Sequence, residues 1–295
     1  MSDTPQAYIL VGPTASGKSS VAQFLAEQTG APVVSADSMN IYRGMDIGTA
    51  KPSVQERGSV SYHGIDLADP TESFSVGDWL AAVRPAFQCL EVAVVAGGTG
   101  LYVKCLLAGL DNLPVADEEL RARAEKMTLA ELQAEAQKVA PEAYEALADK
   151  ENPRRLVRLL EHGGEVSKGW KKELPLVVGL HVERDVLHKR IAARVEQMYA
   201  AGLIEEARGL IGLELSATAQ KAIGYAEAFA VLRGEMTEAQ AKERTIIRTR
   251  QLAKRQMTWF RHQLNVEWVE IQKFQTLEKL ALEVSNVWKK VSVAL

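Results

Sequence analysis

The stretch Gly12-Pro13-Thr14-Ala15-Ser16-Gly17-Lys18-Ser19 constrains this chain more than any other. It follows a short apolar run, Tyr8-Ile9-Leu10-Val11, and leads into an amphipathic sequence that begins Ser20-Val21-Ala22-Gln23-Phe24-Leu25. Strand, glycine-bounded loop, Lys-Ser and helix, in that order, complete the P-loop pattern G-x-x-x-x-G-K-S. The glycines let the backbone wrap an anion, so that successive N–H groups point inward. The helix N-terminus adds its partial positive charge. Lys18 is placed to reach the terminal phosphate, and Ser19 is the expected ligand of a Mg²⁺ cofactor. A di- or triphosphate ligand follows from the pattern; the reaction does not.

A loop of this kind needs a strand behind it and a sheet around that strand. Residues 8–11, 32–35, 92–96 and 176–181 read as short buried strands separated by helical sequence. That alternation implies an α/β fold: a P-loop NTPase-like parallel sheet flanked by helices. The first three strands end in the loop itself, in Ala36-Asp37-Ser38, and in Gly97-Gly98-Thr99-Gly100. Ligands of open α/β sheets lie beyond the carboxyl ends of the strands, so these segments are expected to converge. Residues 117–148 are rich in Ala, Glu and Leu, with Asp117 as a helix start and Pro141 opening another helix. They predict a small all-helical insertion at 113–149, set into a core of 1–112 and 150–295. Asn152-Pro153 starts a further helix that Gly163-Gly164 halts. Residues 185–262 read as helical, giving a helical C-terminal part, and Trp268 and Trp288 fall in a final amphipathic stretch.

Charge and cysteine content narrow the class. Net charge is −3, so contact with nucleic acid must come from local patches rather than a global field. Cys89 and Cys105 lack metal-ligand spacing, which argues against a zinc site or a disulfide framework. With no signal-peptide pattern and no apolar run of membrane-spanning length, a cytoplasmic protein off the membrane is expected; a monomer is expected too, although no feature of the sequence sets the oligomeric state.

Asp37 is the main chemical candidate. An aspartate after a strand commonly caps a turn or helix. Its place at the ligand end makes it instead a metal ligand or general base, because a carboxylate beside a phosphate cradle needs a purpose there. Thr99 can donate to a substrate oxygen or cap the following helix; the two roles are compatible. No Asp follows the third strand directly, which disfavours a simple ATP hydrolase. Basic residues gather at Arg154, Arg155 and Arg158, and again at 242–262, where seven bases meet the single acid Glu243. On a helical wheel Arg244, Arg248 and Arg255 share a face, with Ile246, Ala253, Met257 and Phe260 opposite. A solvated helix face accounts for such a stripe in most proteins; this density of bases points to phosphate-backbone contact.

The motifs together resemble the bacterial tRNA dimethylallyltransferases. The segments are GPTASGKS at 12–19, SADSMNIYRGMDIGTAKP at 35–52, GGTGLYVKCLL at 97–107 and RQLAKRQMTW at 250–259. The resemblance implies transfer of a dimethylallyl group from dimethylallyl diphosphate to the exocyclic amine of the adenine 3′ of the anticodon, with diphosphate released. It implies that Gly12 to Ser19 hold the diphosphate and that Asp37 is the general base. It assigns tRNA contact to Asp37, Ser38, Met39 and Asn40, to Thr99 and Arg121, to Arg154, Arg155, Leu156, Val157 and Arg158, and to Arg250, Gln251, Leu252, Ala253, Lys254 and Arg255. The helical insertion would grip the anticodon stem-loop. Two positions depart from the family pattern: Ala226 follows Gly224-Tyr225 where an arginine is frequent, and Lys221 stands where an arginine is usual. Lys221 is therefore expected at the diphosphate as a point charge without bidentate geometry. Two rival readings keep the same architecture: a small-molecule P-loop kinase, and a non-catalytic nucleotide-gated RNA-binding protein. The loop also accepts ATP, since phosphate fit does not select the attached group.

Overall fold

Period-two patterning sets the layers. In β1 (Gln6–Val11), Ala7, Ile9 and Val11 enter one apolar cluster and Leu10 enters the other, as the alternation of side chains along a strand requires. The computed structural model describes residues 6–88, 92–110, 117–165, 173–291 and 293–294. Cys89 and the expected insertion boundary near 113 lie outside the described residues.

The remaining strands are β2 (Val33–Ser35), β3 (Tyr62–His63), β4 (Val92–Gly97), β5 (Leu176–His181), β6 (Asn265–Glu270) and β7 (Val293–Ala294). They form one sheet in the order β3-β2-β4-β1-β5-β6, parallel throughout, with β7 antiparallel to β1. Between the first four strands and the helical unit run α1 (Lys18–Thr29), α2 (Val54–Arg57), α3 (Val76–Gln88) and α4 (Gly100–Ala108). The helical unit holds α5 (Glu118–Ala124), α6 (Leu129–Val139), α7 (Pro141–Ala146) and α8 (Pro153–Glu161). After it come α9 (Arg184–Ala200), α10 (Leu203–Arg208), α11 (Tyr225–Leu232), α12 (Glu238–Gln263) and α13 (Leu277–Val291).

Helices cover both faces of the sheet. Val21 and Leu25 of α1 and Val284 and Trp288 of α13 pack with Leu10, Val94 and Val178. Trp79 of α3, Tyr102 of α4 and Tyr225 of α11 pack on the other side with Ile9, Val95 and Val177. The two ends of the chain meet at β1: Trp288 donates its indole N–H to the Ile9 carbonyl at 3.1 Å and stacks on Tyr8 with ring centroids 5.1 Å apart.

Three strands escape the sequence reading. The amphipathic stretch around Trp268 forms β6, an edge strand whose Asn265, Glu267 and Glu270 face solvent while Val269 is buried. Its polar alternation hides it beside the long helix before it. β3 and β7 are two residues each, too short for any period to register.

Residues 109–173 form a second compact unit, which takes in α8 as well as the expected insertion. The reason is apolar: Leu156, Leu159 and Leu160 of α8 are buried with Ala124, Leu132 and Ala136 of α5 and α6. The Asp117 N–H donates to the Glu161 carbonyl at 2.8 Å, tying the unit's first helix to its last. Asp117 also caps α5 and Pro141 opens α7, each by the mechanism expected of its residue type.

Candidate active site

The loop 12–19 leaves β1 and enters α1 with Gly17 in the left-handed region, φ +91°. A side chain there would be strained. A Cβ on Gly12 would lie 2.8 Å from the Ser16 hydroxyl. That hydroxyl is buried and has no hydrogen-bond partner among the described residues, which leaves it able to donate to a ligand oxygen. Lys18, the first residue of α1, reaches back to the Pro13 carbonyl at 3.4 Å. Burial lowers its pKa to about 8; Asp37 opposes that shift and Arg194 adds to it.

Asp37 follows β2 and closes an Asx turn, its Oδ1 accepting from the Met39 N–H at 3.0 Å. The next residue is zipped to the β4 loop. The Ser38 N–H donates to the Thr99 hydroxyl oxygen at 2.9 Å, and the Thr99 N–H donates to the Ala36 carbonyl at 3.0 Å. Thr99 therefore joins two strand ends. A Cβ on Gly97 would sit 2.0 Å from the Ala36 carbonyl oxygen, so only glycine permits that approach.

Thr14, Asp37, Ser38, Met39 and Thr99 line one cavity of about 590 Å³ together with Arg194 of α9, Lys221, and Arg248, Gln251, Leu252, Arg255 and Gln256 of α12. The three expected strand-end segments do converge. Lys221 lines the same cavity, where its carbonyl accepts from the Arg248 guanidinium at 3.5 Å.

Arg194 is the residue that the sequence reading misses. It lies deep enough that burial lowers its pKa, opposed by Asp37, and it donates to the Thr49 carbonyl at 3.5 Å. Arg190, one turn earlier, donates to the Ser16 carbonyl of the loop at 3.3 Å. The i, i+4 spacing in α9 places both on one side of the helix. Density of bases does not reveal them, because these two stand in a helix of mixed charge. Glu206 is hidden for the same reason. Its carboxylate accepts from the N–H groups of Asp46, Ile47 and Gly48 and from the Tyr225 hydroxyl, at 2.9, 2.8, 3.2 and 2.6 Å. It anchors the loop that carries Gly48 and Thr49 to the cavity.

The basic stripe of α12 divides in two. Arg244 and Arg248 face the buried Glu227 carboxylate, at 3.6 and 2.6 Å, and Lys242 pairs with Glu196 and Glu238. Lys254 and Arg255 are exposed and show no ion pair among the described residues. Ala253 is buried in the core and Leu252 lines the cavity, so neither side chain belongs to the exposed stripe. In the helical unit Arg154, Arg155 and Arg158 are exposed, Val157 is half-buried, and Leu156 is fully buried. Leu156 packs; it has no surface with which to touch a ligand. Arg121 pairs with Glu125 at 3.0 Å and lies 3.8 Å from Glu161.

Among the described residues no group of three or more His, Cys, Asp or Glu could hold a metal ion. Ser19, exposed on the first turn of α1, is the residue that could offer a hydroxyl to a Mg²⁺ carried by substrate phosphates.

Thr14 of the loop 12–19 and the Asp37 carboxylate line one cavity at the carboxyl ends of the strands, which is where enzymes built on an open α/β sheet hold their ligands. The family follows from comparison with known proteins. The IPP transferase model matches residues 40–263 and the isopentenyl transferase model matches residues 5–62. The chain belongs to the IPP transferase family. It is 38% identical to a tRNA dimethylallyltransferase of Paenarthrobacter aurescens, over 94% of each chain. It is 41% identical to tRNA dimethylallyltransferase 1 of Citrifermentans bemidjiense, over 89% of this chain and 91% of that one. The crystal structure of a full-length tRNA isopentenylpyrophosphate transferase from Bacillus halodurans superposes with a TM-score of 0.72 at 36% identity, covering 97% and 96% of the two chains. A eukaryotic dimethylallyltransferase described as acting on tRNA shares the fold, with a TM-score of 0.79 at 21% identity over 97% of this chain and 80% of that one. These relatives support prenyl transfer and not the kinase or RNA-switch readings.

Proposed function

We propose that this enzyme transfers a dimethylallyl group from dimethylallyl diphosphate to the exocyclic amine of the adenine 3′ of the anticodon in tRNA. The observation that carries the reading is Asp37 in one cavity with Arg194, electrostatically coupled to Lys18 of the phosphate loop. The backbone N–H groups of the loop other than those of Thr14 and Ser16, together with the Ser16 hydroxyl, Lys18 and Arg194, bind the diphosphate. Arg194 takes the part that the resemblance assigned to Lys221, and Lys221 adds charge at the cavity wall. The amine nitrogen attacks the allylic carbon, a C–N bond forms, and the C–O bond to diphosphate breaks with its electron pair leaving on oxygen. Asp37 accepts the amine's proton. Its Oδ1 is held by the Met39 N–H, which fixes the carboxylate's direction. Charge builds on the departing oxygens, where the loop donors need no reorganisation to meet it. Mg²⁺ held by Ser19 and the phosphates would supply further neutralisation of that charge.

Adenine is buried in the anticodon-loop stack and must be extruded to reach a carboxylate inside a cavity. Lys254 and Arg255 on α12, and Arg154, Arg155 and Arg158 on α8, supply exposed cations for the RNA backbone. No described helix is long and apolar enough to cross a membrane. The test is one incubation with unmodified tRNA, Mg²⁺ and dimethylallyl diphosphate, followed by nuclease digestion and nucleoside mass spectrometry. Adenosine carrying one dimethylallyl group is the expected product. Bound tRNA without that nucleoside would overturn the reading.

A further inference from the structure

β1 and β4 are paired in parallel up to Val11 opposite Gly97, and there the ladder ends. Beyond it the two strand ends separate, one into the phosphate loop and the other into the Gly98-Thr99 turn. Gln256 of α12 fills the gap. Its Oε1 accepts from the Thr14 N–H at 2.8 Å, and its Nε2 donates to the Gly98 carbonyl at 3.1 Å. A side-chain amide thus links the two segments beyond the ladder, satisfying one backbone group in each. Gly98 is shaped to it: a Cβ there would lie 2.4 Å from Gln256 Nε2. One turn further along α12, Trp259 occupies the space above Gly100, where a Cβ would meet the indole at 2.1 Å. The helix is therefore keyed at two points into the turn that carries Thr99.

We infer that Gln256 is a positioning residue for the transfer, fixing the separation between the donor's phosphate loop and the Asp37–Thr99 side where the acceptor amine is held. The inference rests on the prenyl-transfer reading above. Donor and acceptor meet along a line set by two strand ends that no longer hydrogen-bond to each other. The amide is the described bridge between the Thr14 N–H and the Gly98 carbonyl, and both of these residues line the cavity. Because Gln256 adjoins the exposed Arg255, the element that presents charge to RNA is the same one that sets this separation. Alignment of reacting atoms is worth large factors in rate, and an error of about 1 Å costs on the order of 10²-fold.

The test is single-turnover transfer at saturating tRNA and dimethylallyl diphosphate. Gln256→Met keeps the length of the side chain and removes both hydrogen bonds. It is expected to slow the single-turnover rate on the order of 10²-fold, while the Kd for tRNA, the KM for the donor and the thermal midpoint stay near the wild-type values. Gln256→Glu retains the acceptor for Thr14 but has no donor for Gly98, and it is expected to slow transfer too, because the wedge needs both bonds. A wild-type rate in either variant overturns the inference. So does a loss of rate that tracks a fall in thermal midpoint, since packing alone would produce it. A wild-type enzyme that makes no prenylated adenosine would instead overturn the reading beneath.

Discussion

Lys18 shows how one half-buried charge ties affinity to pH. Its ordinary pKa of 10.5 drops to about 8 through burial, against the pull of Asp37. The lysine is therefore protonated, and attractive to a diphosphate, below about 8. As pH rises through that value the ammonium is lost, and affinity for the donor falls. Stability moves the other way. Between about 8 and 10.5 the unfolded chain holds a proton that the fold does not, so this group's contribution to stability rises with pH in that window. Donor titrations across the same range are expected to show the decline, and Lys18→Arg, charged throughout, to flatten it. A pH-independent donor Kd in the wild type would remove the ammonium from the site. Asp37 makes a separate prediction. Asp37→Asn keeps the size of the side chain and an acceptor for the Met39 N–H but cannot take a proton, so transfer is expected to fall by about 10²–10⁴-fold. Retained tRNA affinity, measured by filter binding, would assign the loss to chemistry.

At the scale of elements, the loop 46–49 is held by α10 and α11 as well as by its own local hydrogen bonds, such as that from the Thr49 hydroxyl to the Met45 carbonyl. Glu206 collects three backbone N–H groups and the Tyr225 hydroxyl, whose pKa is pushed up by burial and by this hydrogen bond. Glu206→Gln turns one acceptor oxygen into a donor facing other donors. The expected cost is about 1–3 kcal/mol, read as a lower urea midpoint. The exposed cations of α12 carry a second prediction. Lys254→Ala with Arg255→Ala should weaken tRNA binding and reduce the slope of log K against log salt by about 0.7–0.9 for each phosphate no longer neutralised. An unchanged slope would place this helix outside the RNA interface. These two elements differ in how far the sequence discloses them. The phosphate loop, Asp37 and Thr99 stand at fixed offsets from apolar strands, so local pattern locates them. The α12 stripe is legible as density, but not its partition: Glu227 lies on the preceding helix, 21 residues before Arg248, and only the packing of α11 on α12 brings the two together. Arg194 and Glu206 have no local signature, and Gln256, though inside the segment RQLAKRQMTW, gives no local sign of its partners, because each acts on a segment more than a hundred residues away. β6 is hidden by its polar edge, and the membership of α8 by a basic surface that draws attention from Leu156 beneath it.

At the scale of the whole molecule, the chain forms two compact units, the larger with an apolar cluster on each face of its sheet and the smaller with a third. The cavity with Asp37, and the phosphate loop beside it, belong to the unit built on the sheet, while Arg154, Arg155 and Arg158 belong to the unit at 109–173. The smaller unit has its own apolar cluster of few residues, with Leu156 at its centre and wholly buried. A small core has little stability in reserve. Leu156→Ala removes buried volume that such a core cannot readily refill, at an expected cost of about 2–5 kcal/mol. The damage should be confined to its unit, because Leu156 packs within that cluster alone. Hydrogen exchange is then expected to accelerate in α5, α6 and α8 while β1, β4 and β5 keep their protection. Donor affinity should stay at the wild-type value and tRNA affinity should fall, since α8 presents its arginines only when its leucines are packed. Faster exchange in the sheet, or a matching loss of donor affinity, would show instead that the two units fold as one and that the division between donor and RNA binding is not a division of stability.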